Sequence, residues 1–467
     1  MSTRTLALAA LLCAACSSDD APVATPTRQP SILFVSIDSL RADHVRCYGY
    51  PKETSPTLDA LAASGVRFQT AVSTTSWTLP SHAAMFTGLY DSAHGVVDNG
   101  LALAENHVTL AESLKDAGYQ TAGFFGGPYL HPIYGLSQGF DVYESCMTTI
   151  PADIDAMELR REVTKAVSPS HADITSPRTL ERVTHWAERA DARPFFAFVH
   201  LWDVHYDYIP PKEYVERFDP DYTGSLDARD YMGNPAIRPD MPARDLEHLL
   251  ALYDGEIRFT DEHLGKIIEV LRKKAGGDEN LLIVVTADHG EEFFEHAQRG
   301  HAMTLFEEVV RVPLIVSWPG HVANGRVVDE LVRTIDVFPT LAAAAGARAP
   351  SYVQGRDLLA ALAQPGAIPT EPALLELWMA TYDFRALRTE TIKVHSSETK
   401  GDLGGFRLDK DARELDPLKA DFPNIKKALL RLHELAGQST ELRTKIGDPT
   451  EAIVQPWLQE RLEQLGY

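Results

Sequence analysis

Cysteine is scarce in this chain, four in 467 residues, and two of the four, Cys13 and Cys16, sit near the start. Cys47 and Cys146 remain for the body of the protein. They allow one disulfide but no disulfide framework, and no Cys-x-x-Cys pair offers a metal site. Basic charge is also short: 44 Lys and Arg against 66 Asp and Glu leave a net charge of −22. With no basic face to offset it, that balance excludes nucleic acid as a partner. Periodic repeats and long low-complexity tracts are missing. So are long apolar runs: the only one near the N-terminus, Leu6 to Cys16, is too short to cross a bilayer as a mature helix.

That run follows Arg4 and ends in Ala14-Ala15-Cys16-Ser17-Ser18, the pattern of a bacterial lipoprotein signal cleaved before Cys16. We therefore expect residues 1–15 to be a signal peptide and 16–30 a polar tether. The protein would be exported, a lipid-anchored periplasmic or outer-membrane lipoprotein that touches the membrane only through its anchor. Plain secretion with cleavage nearby is the alternative.

What the chain does contain is a run of buried-strand patterns. Ile32 to Ile37, Phe195 to Leu201 and Leu281 to Thr286 are continuous apolar segments rich in β-branched and aromatic residues, and Leu314 to Ser317 is a shorter one. Strands are also expected at Val66 to Val72 and Gln120 to Phe125. Helical patterns alternate with them at Pro56 to Gly65, Val108 to Gly118, Arg178 to Arg189 and Arg333 to Gly346. This alternation predicts an α/β fold: a mostly parallel central sheet flanked by helices over 31–350. Residues 351–467 are expected to form a smaller C-terminal subdomain with an antiparallel sheet and a helix. Asp203 to Arg244, rich in Pro, Asp and Tyr, is expected to form loops over the strand ends.

Two stretches carry chemistry. In Thr78-Leu79-Pro80-Ser81-His82 the proline suits the first turn of a helix, which would aim free N–H groups and a positive dipole end at a group held by Thr78. The plainer alternative is an ordinary helix cap. Strand LLIVVT runs directly into Ala287-Asp288-His289-Gly290, and strand ILFVSI into Asp38. Carboxylates and an imidazole at carboxyl ends of strands could share one cation.

These motifs, with GYQTAGFFGG, HLWDVHYDY and VRVPLIVSWPG, recur in the order found in the sulfatase branch of the alkaline phosphatase superfamily, which this sequence resembles over nearly all of its length after residue 31. The resemblance implies the alkaline phosphatase-like fold. It also implies a metal-dependent ester hydrolase with Asp38, Thr78, Asp288 and His289 as ligands. Thr78 is the nucleophile and His205 the group that protonates the leaving oxygen, with Asn99, His82 and His301 binding substrate. His205, His301 and Asp203 are the candidates for a second metal, and His200 is expected inside its strand.

Departures from the family carry as much information. Sulfatases have Cys or Ser at the Thr78 position, oxidised to formylglycine; threonine would give a ketone, so no formylglycine is expected. His82 stands where they have Arg, Ser39 where they have a second Asp, and Gly127 and Tyr129 where they have Lys and His. The threonine, the Pro80–His82 pair and Asp98-Asn99 are similar to nucleotide pyrophosphatase/phosphodiesterases, and lipid-linked phosphoethanolamine and phosphoglycerol transferases also use threonine. An imidazole in the ligand set favours Zn²⁺ or Mn²⁺, with Ca²⁺ or Mg²⁺ as alternatives. A phosphoester hydrolase or transferase acting on a small-molecule, lipid or glycan ester is thus expected ahead of a sulfatase working without formylglycine. A catalytically inactive binding protein is the third reading.

Overall fold

In the computed structural model the described residues are 29–147, 173–363, 368–379, 382–454, 456, 458 and 459. The expected signal peptide, most of the expected tether, and residues 148–172 lie outside them.

Eight strands build the main sheet: β1 (Ser31–Ile37), β2 (Val66–Phe68), β3 (Gln120–Phe125), β4 (Val142–Ser145), β5 (Phe195–Leu201), β6 (Leu281–Ala287), β7 (Leu314–Ser317) and β8 (Arg326–Val328). Their spatial order is β8-β2-β7-β6-β1-β5-β3-β4. The central strands β6, β1, β5 and β3 run parallel, and β7 lies antiparallel to both β6 and β2. The strands β1, β5 and β6 are buried at every position, as their unbroken apolar runs require of strands covered on both faces. Helices α1 (Pro56–Ala63), α2 (Thr78–Thr87), α3 (Ser176–Arg189), α4 (Ala243–Ala275) and α5 (Val337–Ala345) surround the sheet.

Two expectations need correction. Val66 to Val72 is not one strand: the chain breaks after Phe68, Gln69 N–H donates to Val328 O in the main sheet, and Ala71–Val72 joins a separate three-stranded sheet with Arg311–Val312 and Val332–Arg333. Asp203 to Arg244 holds a short helix, Lys212–Phe218, and ends at α4, a 33-residue helix with no counterpart in the sequence reading. Its inward face includes His248, Asp254, Gly255, Glu256 and Asp261, so burial there does not follow an apolar stripe.

Four antiparallel strands, β9 (Ala373–Met379), β10 (Tyr382–Arg388), β11 (Ile392–Ser397) and β12 (Gly401–Arg407), make the C-terminal sheet in sequential order. Helix α6 (Pro423–Ile446) packs on it through Ile425, Leu429 and Leu432. Residues between 351 and 363 still lie against the main domain, where Gln354 and Gly355 donate to Gly88 O. No helix among the described residues is long and apolar enough to cross a membrane.

Candidate active site

Strand register builds the site. Ile37 is level with Leu201 on one side and Ala287 on the other, so the next residues, Asp38, Trp202 and Asp288, leave the sheet together. With a side-chain period of two, Ser36 and Asp38, His200, and Thr286 and Asp288 share one face. Helix α2 lies over that face: Ser81 Oγ donates to Asp288 O at 2.8 Å, and Ala302 N–H holds Ser76 O at 2.9 Å. Trp77, the residue before the helix, has an extended backbone and no capping side chain, so the first N–H groups remain open toward the strand ends.

Asp38, Thr78, Asp288 and His289 converge. Thr78 Oγ1 lies 3.5 Å from Asp38 Oδ2 and 3.4 Å from His289 Nε2. His289 Nε2 is 3.7 Å from Asp38 Oδ1 and 3.5 Å from Asp288 Oδ2. All four side chains are fully buried. These donor separations match neighbouring ligands about 2.1–2.5 Å from one divalent ion, so the spacing fits a cation without choosing among them. Two further observations fit as well. Asp288 Oδ2 has no hydrogen-bond donor, although it is buried. Burial raises Asp38 to about 6 against the pull of His289, and burial together with the Asp38 charge raises Asp288. Two carboxylates so placed lack a positive charge. His289 Nδ1–H donates to Gly290 O at 2.9 Å, which leaves Nε2 as the ligand atom.

His200 joins this cluster. Its Nε2 is 3.2 Å from Asp38 Oδ2, and burial lowers its pKa to about 4, so it stands neutral beside the ligand carboxylate. The sequence did carry a signal: Ser36, His200 and Thr286 form a polar row across three apolar strands, visible only once the register is known.

The remaining candidates separate. His82 is corrected from substrate contact to support of the first turn of α2. Its Nδ1 meets Thr78 O at 2.8 Å and its Nε2 meets Ser36 Oγ at 3.1 Å, and burial lowers it to about 3. It braces α2 on β1 as a neutral ring. Asp203 is corrected too: Oδ1 accepts from Thr175 N and Oγ1, and Oδ2 from Ser176 N, so the carboxylate anchors the start of α3 instead of joining His205 and His301 around a second ion. Those two histidines do come together. His205 stacks on Trp202 at 3.9 Å, lies 4.9 Å from His301, and His301 lies 4.3 Å from His289, a file of rings leading outward from the cluster. His205 Nδ1 faces Tyr206 O at 2.6 Å, and His301 Nδ1 faces Glu291 Oε1 at 3.2 Å. Burial, then His289 and His205, hold His301 well below the usual histidine range. Asn99 is half-buried and bonded to Tyr129, whose ring packs edge-on against Trp77 at 5.3 Å.

Among the described residues, no Lys or Arg is a hydrogen-bond or ion-pair partner of Asp38, Thr78, Asp288 and His289. Where the family lysine would stand, a Cβ on Gly127 would lie 2.7 Å from the Trp202 ring and 3.3 Å from His200.

A family model described as Sulfatase matches residues 30–347, and one for the C-terminal part of N-sulphoglucosamine sulphohydrolase matches residues 301–466. The chain is 27% identical over 358 residues to the uncharacterized sulfatase YidJ of Escherichia coli K12, covering 71% of each. It is 24% identical to an N-acetylglucosamine-6-O-sulfatase of Bacteroides thetaiotaomicron, covering 96% of this chain and 92% of that one. Among solved structures, it superposes on a protein in complex with its substrate D-glucosamine-2-N,6-O-disulfate with TM-score 0.71 and 19% identity, covering 89% of this chain and 99% of that one. It superposes on a phosphonate monoester hydrolase of Agrobacterium radiobacter with TM-score 0.68 and 22% identity, covering 92% and 100%. The family match over 30–347 defines a hydrolase of the alkaline phosphatase superfamily. Within it, the chain belongs to the sulfatase family.

Proposed function

We propose that this sulfatase-family hydrolase cleaves phosphorus esters, diesters or phosphonate monoesters, with the unmodified Thr78 hydroxyl as nucleophile. One observation carries this reading: the buried Thr78 Oγ1 lies within 3.5 Å of the cluster carboxylate and imidazole at the open end of α2. The reading also draws on what cannot happen at a threonine, conversion to formylglycine.

Asp38, Asp288, His289 and Thr78 would hold a divalent ion, Zn²⁺ or Mn²⁺ by donor chemistry, and that ion would acidify the Thr78 hydroxyl and polarise the ester. Thr78 Oγ1 attacks phosphorus and passes its proton toward Asp38 Oδ2. The Oγ–P bond forms as the P–O bond to the leaving group breaks, and the leaving oxygen takes a proton from His205 Nε2. That nitrogen is the mobile one, because Nδ1–H is engaged by Tyr206 O. A water then attacks phosphorus as the Oγ–P bond breaks, giving one proton to His205 Nε2, while Thr78 Oγ1 recovers its own from Asp38 Oδ2. Asn99 and the open N–H groups of α2 stabilise charge on the equatorial oxygens. The buried carboxylates of Asp38 and Asp288 favour an ester with one negative charge over a dianionic monoester, which they would repel.

A second reading, sulfate ester hydrolysis without formylglycine, is favoured by the relatives named as sulfatases. A matched panel of aryl phosphodiesters, phosphonates and sulfates separates the two. Phosphorus esters should turn over far faster, Thr78→Ser should keep partial activity, and quenched enzyme should carry a phosphoryl group on the Thr78 peptide. A preference for sulfate that survives Thr78→Ala would establish the second reading in place of the first. The exported, lipid-anchored location belongs to the same proposal and is tested by Cys16→Ser, which should release the protein from the membrane fraction.

A further inference from the structure

Between three and nineteen residues on from His289, the chain assembles a second group of ligand-type side chains that the chemistry above does not use. Glu292, His296 and Glu308 each bring one donor atom within 4.8 Å of the others. Glu292 belongs to a two-residue strand that pairs with Arg299–Gly300, so His296 lies in the turn between them, and Glu308 is the second residue of the segment Glu307–Val310.

Three features set this group apart from an ordinary acidic patch. Glu292 is fully buried, and while its Oε2 accepts from Thr304 Oγ1 at 3.0 Å, its Oε1 has no partner. His296 Nε2 meets a backbone carbonyl, Glu414 O, at 3.1 Å, so the N–H belongs there. Its Nδ1 meets Glu308 Oε1 at 2.5 Å, an ion pair that raises the ring's pKa against the opposing effect of burial. The proton held between them is one that a divalent ion would have to replace. An imidazole that donates one N–H to a carbonyl and turns its other nitrogen toward carboxylates has the arrangement of a metal-ligating histidine. Its plane is fixed by Phe306, stacked at 3.6 Å. Glu308 also borders a cleft of 300 Å³ whose other walls include Arg41, Glu295, Arg311 and Arg413.

We propose that Glu292, His296 and Glu308 form a second, structural site for a divalent transition ion of the Zn²⁺ class, separate from the strand-end cluster. The ion would tie the loop after His289 to the C-terminal domain through the His296–Glu414 bond. Without it, the group balances its charge with protons: burial and the Glu308 carboxylate push Glu292 up to about 8. Ion binding displaces them.

The test is the zinc content of Zn²⁺-loaded, dialysed full-length protein. Asp288→Ala removes the strand-end ion, so that protein should keep one equivalent, and adding His296→Gln should take it to none. Glu308→Gln in the same Asp288→Ala protein serves as the second variant, with circular dichroism confirming that each is folded. Zinc uptake by Asp288→Ala should also release protons into weak buffer near pH 7. An Asp288→Ala protein that binds no zinc, or a folded Asp288→Ala/His296→Gln protein that still binds one equivalent, overturns the proposal. If Asp288→Ala leaves the zinc content of the wild type unchanged while His296→Gln lowers it, this site stands and the strand-end metal reading fails.

Discussion

Two buried charge clusters in this molecule solve the same problem in opposite ways. At the strand ends, Asp38 and Asp288 are sealed from water with histidines and a threonine for company, and burial raises both carboxyls. Where α5 begins, Asp336 is just as deeply buried, but Arg333 meets it at 2.7 Å and Arg356 at 3.2 Å. Burial alone would raise Asp336; the two guanidiniums outweigh it and hold the carboxyl below its usual range. Tyr90 completes that network by accepting from Arg333 at 2.8 Å. The second cluster carries its countercharge in the sequence. The first has no such countercharge among its described partners, which is the arrangement the proposed cation site calls for.

The largest effect that would break this contrast is at the strand ends. Asp288→Ala should remove the bound ion and reduce turnover by at least about 10³-fold. The apo protein should be no less stable than wild type, because a repelling charge has gone. A metal-free melting temperature several degrees lower would mean that Asp288 is a structural anchor. At the other cluster the sign reverses. Asp336→Asn should cost about 3–5 kcal/mol in chemical denaturation by stranding Arg333 in the interior, while the metal content stays the same.

The dependence on pH sharpens the difference. A carboxyl raised by folding favours the native state below its unfolded pKa and loses that contribution as pH rises through its folded value. For Asp38 the window runs from the ordinary carboxylate range to about 6. Metal must displace the proton, so the rise in melting temperature on adding Zn²⁺ or Mn²⁺ should be small near pH 4.5 and level off above pH 6.5. A shift that is flat across this range would show Asp38 already ionised without metal. The smallest effect belongs to a carboxylate that lies near the site but serves the fold. Asp203→Asn should cost about 1–2 kcal/mol through the lost anchor of α3, with metal content retained.

Much of this was legible in the sequence where chemistry and strand end are adjacent in the chain. Asp38 follows ILFVSI directly and Asp288-His289 follows LLIVVT, so the apolar run and its polar terminus announce a sheet edge together. Thr78 was legible because Pro80 and Gly88 frame its helix, with Gly88 at a φ of +67° as the αL end of α2. His82 and Asp203 were misread because a residue type and its spacing do not say which way a side chain turns. One points down to Ser36 and the other back to Thr175. His200 was placed in its strand, but its nearness to Asp38 depends on register, a property of two strands and not of one. The helix α4 escaped because its buried face mixes His248, Asp254, Glu256 and Asp261 with leucines, paired to distant partners such as His44 and Thr57, so no single apolar stripe marks it. The strand β9 was missed because ALLELWM alternates poorly, with Glu376 fully buried against Arg385.

The space shared by Gly127 and Trp202 has a consequence for how this lineage can change. A side chain at residue 127 collides with the indole, and the indole in turn supports the His205 ring. A side chain introduced at Gly127 therefore calls for a smaller residue at Trp202, and a smaller residue at Trp202 leaves His205 without its platform. The two positions are coupled, and change at either should be tolerated only together with change at the other.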